Sequence, residues 1–154
     1  MTKVQYIMLL AKACRDGIFP SVIGRGCRYR GENGKKCAIG VLIPDEVYQP
    51  QFDDMKLIGP SFSETSMSAH ELDDYCTRNK LELNVNELVD GLKVGDLAQI
   101  QHIHDTLAQQ KGSDSSEFII FLQNMKCFKE IPESVWMDPL RLIHSPKQTE
   151  EAKE

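Results

Sequence analysis

Val4, Ile7, Met8, Ala11 and Cys14 recur at i, i+3, i+4, i+7 and i+10, the spacing that lines one face of an α-helix with apolar side chains. That helix is expected to stop at Gly17 and Pro20. Next, "CRYR" and "KKCAI" flank "GENG". The Asn33-Gly34 pair tolerates the positive φ of a tight turn, which predicts a short β-hairpin near residues 27–38. "AIGVLI" is too short and too apolar to assign by period, and Pro44-Asp45 begins a turn or a single helical turn reaching Tyr48. Residues 49–65 contain Pro50 and Pro60 and little periodicity, so an ordered surface loop is expected there.

Helical patterns resume in the second half. Ser68 with Glu71 forms a capping box ahead of Leu72, Tyr75 and Cys76, and Asn84 with Glu87 is a looser version ahead of Leu88, Val89 and Leu92; two short helices are expected. Asp96 is placed to cap "LAQIQHIHDTLAQQ". Asp114, with Glu117 three residues on, is placed to cap a helix whose stripe is Phe118, Phe121, Leu122, Met125 and Phe128. These last two helices are expected to pack as a pair. The fold class expected is α+β, mainly α: one compact helical domain over residues 1–144, with a single short β-hairpin, and a charged flexible tail over residues 145–154.

Length changes this picture little, since 154 residues suffice for one domain with its own core. The longest apolar run, Cys37 to Pro44, is far short of the roughly 20 residues a membrane-spanning helix needs, and no secretion signal is recognisable. The five cysteines stand at 14, 27, 37, 76 and 127, an odd and scattered set that fits reduced thiols in a cytoplasm.

Charge is distributed unevenly. Eight cations against two anions give residues 1–36 a net +6, while ten against 21 give residues 37–154 a net −11. Arg25, Arg28, Arg30, Lys35 and Lys36 would form a positive loop on an acidic body, able to meet a phosphate or an acidic protein surface. Interleaved with Tyr29, they are the candidate nucleic-acid contacts, the aromatic stacking a base and the guanidiniums pairing phosphates. The structural alternative packs Tyr29 against the first helix and leaves the charges as a guard on an edge strand.

Cys37 is the candidate nucleophile, because Lys36 and a helix start at Ala38 would both favour its thiolate. His104 would serve as base and Asp105 as the carboxylate orienting it, in a Cys-His-Asp arrangement. On a helix, however, His104 falls within the stripe of Leu97, Ile100, Leu107 and Ala108, and Asp105 stands about 100° away. Asp105 is therefore not expected to orient His104, which reads as a core histidine. Cys14, Cys76 and Cys127 read as buried small residues. A zinc site using Cys27 and Cys37 with His102 and His104 lacks the usual close pairs, although a hairpin would bring the two cysteines near enough for a metal or a disulfide. The P-loop pattern fails at Tyr29 and Lys36, where it needs glycine and Ser or Thr. No cofactor is expected.

The residues Cys27-x-Tyr29-Arg30-Gly31, Gly34, Lys36-Cys37-Ala38-Ile39-Gly40, Leu42-Ile43-Pro44-Asp45 and Tyr48, followed by "LAQIQHIHD", resemble a family of small proteins of bacteria and their phages. The resemblance covers roughly residues 22–108 and is carried by the "CAIG-x-LIPD-x-x-Y" block. It implies a phage or prophage origin and an accessory role, and it transfers no catalytic residues. Within that block, small residues at 38 and 40 would permit close backbone approach, Pro44 would fix the chain's exit, and Tyr48 would bury its ring with its hydroxyl bonded. The function expected is non-enzymatic binding of a host protein or complex. The alternatives are a nucleic-acid module built on residues 25–36 and a cysteine-dependent hydrolase or transferase using Cys37 and His104.

Overall fold

A computed structural model describes residues 1–19, 22–23, 26–53, 56–58, 63–65, 68–108 and 115–146. The chain is mainly helical. Among the described residues five α-helices, α1 (Lys3–Arg15), α2 (Ala69–Arg78), α3 (Val94–Ala108), α4 (Ser115–Gln123) and α5 (Glu133–Ile143), surround an apolar core. α1 lies along α5 and touches α4, while α3 packs between α2 and α4. Two short antiparallel pairs complete the frame: β1 (Val22–Ile23) with β2 (Gly26–Cys27), and β3 (Lys56–Ile58) with β4 (Ser63–Thr65).

Local sequence accounts for the starts of the first three helices. Thr2 and Gln5 form a capping box at the start of α1, and Ser68 and Glu71 form the expected one at α2, each satisfying two backbone amides that the first turn leaves open. α3 begins before the expected cap: Asp96 reaches back and accepts from the Lys93 amide at 2.9 Å. Asp114 lies outside the described residues, as does the tail from residue 147.

Several expectations are corrected. α1 buries Tyr6, Ile7, Leu10, Ala11 and Ala13 and leaves Val4 41% exposed, because the Tyr6 hydroxyl donates to the Ala38 carbonyl at 2.7 Å and rotates the buried face away from the Val4 stripe. The Asn84–Glu87 signal yields only a 3-10 turn at Val85–Glu87, with the Asn84 side chain accepting from the Asn86 amide. α4 stops at Gln123, so Met125 and Phe128 reach the core from a following 3-10 turn, and Phe121 faces solvent. Residues 49–65 include the buried Phe52 and Asp53 as well as β3 and β4.

α5 had no strong sequence signal, since Pro139 sits inside it and cannot donate to the carbonyl four residues back. Packing compensates: Trp136 is 2% exposed and meets Phe128 edge-on at 5.8 Å.

The β-hairpin expected over residues 27–38 does not form. An isolated bridge joins Arg30 to Lys36 around a 3-10 turn at Glu32–Gly34. The turn itself is as the sequence predicts, with Asn33 at φ 57° and Gly34 at φ 76°. The pairing goes no further because the Tyr29 amide, which would donate to residue 37 across the bridge, is bonded to the Asp53 carboxylate.

Candidate functional site

The block from Tyr29 to Asp53 is assembled around one carboxylate. Asp53, 7% exposed, accepts from the Tyr29 amide at 2.8 Å, the Arg30 amide at 3.1 Å and the Tyr48 hydroxyl at 2.5 Å. Three donors to one buried charge satisfy it and fix two chain segments together. Tyr48 thereby bonds its hydroxyl, and its amide returns to the Pro44 carbonyl at 3.0 Å. Its ring is partly exposed, meets Phe52 edge-on at 5.8 Å, and carries the Arg30 guanidinium 4.6 Å from its centroid.

This arrangement takes up much of the basic loop. Arg30 donates to Asp45 at 2.5 Å and to the Ile43 carbonyl at 2.8 Å, and Lys35 donates to the Gly17 carbonyl. Tyr29 is fully buried, its hydroxyl accepting from Gln101 of α3 at 3.3 Å, so its ring has no face free for a base. Arg28 and Lys36 are half-buried, and Arg25 lies outside the described residues.

The cysteine-histidine set is divided by the fold. Cys37 is 1% exposed, and its sulfur accepts from the Gly40 amide at 3.2 Å. Burial pushes this thiol well above its usual range, against the smaller favourable effect of the Gly40 and Ile39 amides, and Asp105 and Asp53 raise it further. Such a thiol stays protonated and unreactive at neutral pH. Cys27 lies on β2, and its side chain is outside the described set. Among the described residues no cluster of His, Cys, Asp and Glu is arranged to hold a metal ion.

His104 and Asp105, by contrast, do meet. Nδ1 of His104 lies 2.9 Å from the Asp105 carboxylate, which corrects the helical-angle argument. Neighbouring side chains diverge at their Cβ atoms, yet the imidazole extends far enough for the adjacent short carboxylate to reach it. The ring is 3% exposed and sits edge-on to Phe19 at 5.2 Å. Nε2 is buried without a hydrogen-bond partner among the described residues. His102, two residues away, is exposed. Among the described residues the structure thus supplies an oriented imidazole together with a buried, protonated Cys37 thiol.

The buried acids make the fold sensitive to alkali. Burial also raises Tyr6 and Tyr29 well above 10 and Cys127 from 9 to about 11. Each group holds its proton more tightly folded than unfolded, so stability is intact below pH about 9 and falls as pH rises further. Urea midpoints measured at pH 7.5 and pH 10 should drop across that interval, and Cys37→Ala should flatten the slope; an unchanged midpoint would refute the assignment.

A further feature lies on the helical layer. Gln5, Met8, Leu9 and Lys12 along α1, with Met1 ahead of it and Leu142 of α5, line an open groove of about 490 Å³. Gln5, Met8, Leu9 and Lys12 recur at i, i+3, i+4 and i+7, so a second stripe was present in the sequence. It is half polar, which concealed it. Asp53 and Gln101 were missed too, because polar residues that turn inward leave no periodic mark. No helix among the described residues is long and apolar enough to cross a membrane. Comparison with protein-family models, with curated proteins and with solved structures finds no match.

Proposed function

We propose that this chain is a non-enzymatic accessory protein of the phage type, which acts by holding a host protein in the groove between α1 and α5. The observation that carries this reading is the lining: Met1, Met8, Leu9 and Leu142 form an apolar floor, with Gln5 and Lys12 as its polar members. Methionine walls adapt to varied apolar surfaces, and helical spacing along one wall suits an amphipathic helix laid in the groove. Lys12 favours an acidic residue on that helix, by charge complementarity. The two alternatives have less support, since a cysteine enzyme would need the buried Cys37 thiol, and a nucleic-acid module would need Tyr29 released from the core.

The test uses a photo-crosslinking amino acid placed at Met8, with Glu82 as an exposed control outside the groove, in full-length protein mixed with host lysate. A discrete adduct is expected from position 8 and none from position 82. Leu9→Glu should abolish the adduct, and Lys12→Glu should reduce it about fivefold. Equal labelling from both positions, or indifference to Leu9→Glu, would overturn the reading.

A further inference from the structure

A second pocket, of about 330 Å³, opens where α2 ends and the 3-10 turn at Val85–Glu87 packs against it. On the α2 side, Asp73 and Thr77 stand one turn apart, and the Thr77 hydroxyl donates to the Asp73 carbonyl at 2.9 Å. Its proton committed, the threonine oxygen is left as an acceptor, alongside the Asp73 carboxylate. On the other side, the Asn84 oxygen accepts from the Asn86 amide at 3.2 Å, and the Asn86 oxygen from the Val94 amide at 3.0 Å. Each side chain is thus held by its oxygen, with its N–H₂ group left to donate.

Lys80 completes the polar lining, and its backbone is unusual. Asn79 caps α2, and Lys80 follows it with φ 52°. The Lys80 amide donates to the Thr77 carbonyl at 3.3 Å and the Leu81 amide to the Cys76 carbonyl at 3.0 Å. These two bonds close a helix at a left-handed residue, where glycine is the usual occupant. A lysine there carries strain that a glycine would not, so what the residue contributes is its side chain, and strain of this kind collects at ligand sites. Among the described residues neither Asp73 nor Lys80 has an ion-pair partner.

The pocket therefore offers acceptors and a negative charge from α2, and donors and a positive charge from residues 80–86. A ligand that answers both sides carries a cation and an anion close together and no net charge. We propose that this pocket binds a free α-amino acid with a small polar side chain, its ammonium on Asp73 and Thr77 and its carboxylate on Lys80, Asn84 and Asn86. None of these residues lines the α1–α5 groove, and the proposal does not depend on the role given to it.

The ligand is small and the pocket open, so dissociation near about 0.1–1 mM is expected. In isotope-labelled full-length protein, L-serine should shift the nuclear magnetic resonance signals of the Asn84 and Asn86 side-chain amides with that midpoint. Glycerate, in which a hydroxyl replaces the ammonium, and ethanolamine, which lacks the carboxylate, should each leave them in place at about 10 mM. Asn84→Asp keeps an oxygen for the Asn86 amide and removes the N–H₂ group, and should weaken serine binding about tenfold. Lys80→Gly separates binding from folding. It should raise the urea midpoint, because glycine relieves the left-handed turn, and still weaken serine binding about tenfold or more. No shift with serine at about 20 mM overturns the proposal. So does an equal response to glycerate or ethanolamine, and so does serine binding that Lys80→Gly and Asn84→Asp leave unchanged.

Discussion

Gly40→Ala is expected to prevent folding or to destabilise the protein by about 3 kcal/mol or more. A Cβ built on Gly40 would lie 2.0 Å from the Tyr29 carbonyl oxygen and 2.9 Å from its carbon, a clash with backbone that no rotamer change relieves. Neither segment has room to retreat. The Tyr29 amide is tied to Asp53, the Gly40 amide donates to the Cys37 sulfur, and the Cys37 amide donates to the Tyr29 carbonyl at 3.4 Å. Gly95→Ala is the matched control: nothing lies within 4 Å of its Cβ position, inside α3, so it should gain about 0.5–1 kcal/mol from helix propensity. Urea midpoints of the two variants should therefore move in opposite directions. A Gly40→Ala protein of wild-type stability would refute the close approach of residues 29 and 40.

Asp53→Asn should cost about 3 kcal/mol, although it changes one atom. The carboxylate accepts from three donors, and two of them are backbone amides that cannot turn away. An asparagine offers one acceptor oxygen and must aim its own N–H₂ at a donor. Tyr48→Phe removes one of the three donors and leaves the charge satisfied by the others, so a loss of about 1 kcal/mol is expected. Chemical denaturation at pH 7 ranks the two variants. If Tyr48→Phe proved the costlier, the ring's packing under Arg30 and against Phe52, and not the carboxylate, would hold the block together.

These two residues also mark how far the sequence was legible. α1, α2 and α3 could be read because their signals are local: an apolar period, and a capping side chain within four residues of the amide it serves. Gly40 could be read as a close-approach position, though not what it approaches. Asp53 stood in a proline-flanked stretch without period, and its partners lie five to 24 residues away. α5 was hidden by Pro139, whose cost is local while the compensating burial of Trp136 against Phe128 is tertiary. Of the candidate sites, Cys37 was read from its sequence neighbours, yet burial outweighs the Gly40 and Ile39 amides that favour its thiolate. His104 was placed correctly in the core, and only its meeting with Asp105 depended on side-chain reach that angular position does not record.

The long pairing of α1 with α5 bears on how the protein is made. Lys3 donates to the Cys127 carbonyl at 2.7 Å and to the Glu130 side chain, and Trp136 enters the core from a helix that the ribosome adds late. The first helix therefore emerges well before the α5 surface it packs against, and the face it turns to α5 stays uncovered while more than a hundred further residues are synthesised. Closure awaits α5, which makes the nascent chain a client for holding chaperones throughout its translation and predisposes prematurely terminated products to aggregate or be degraded.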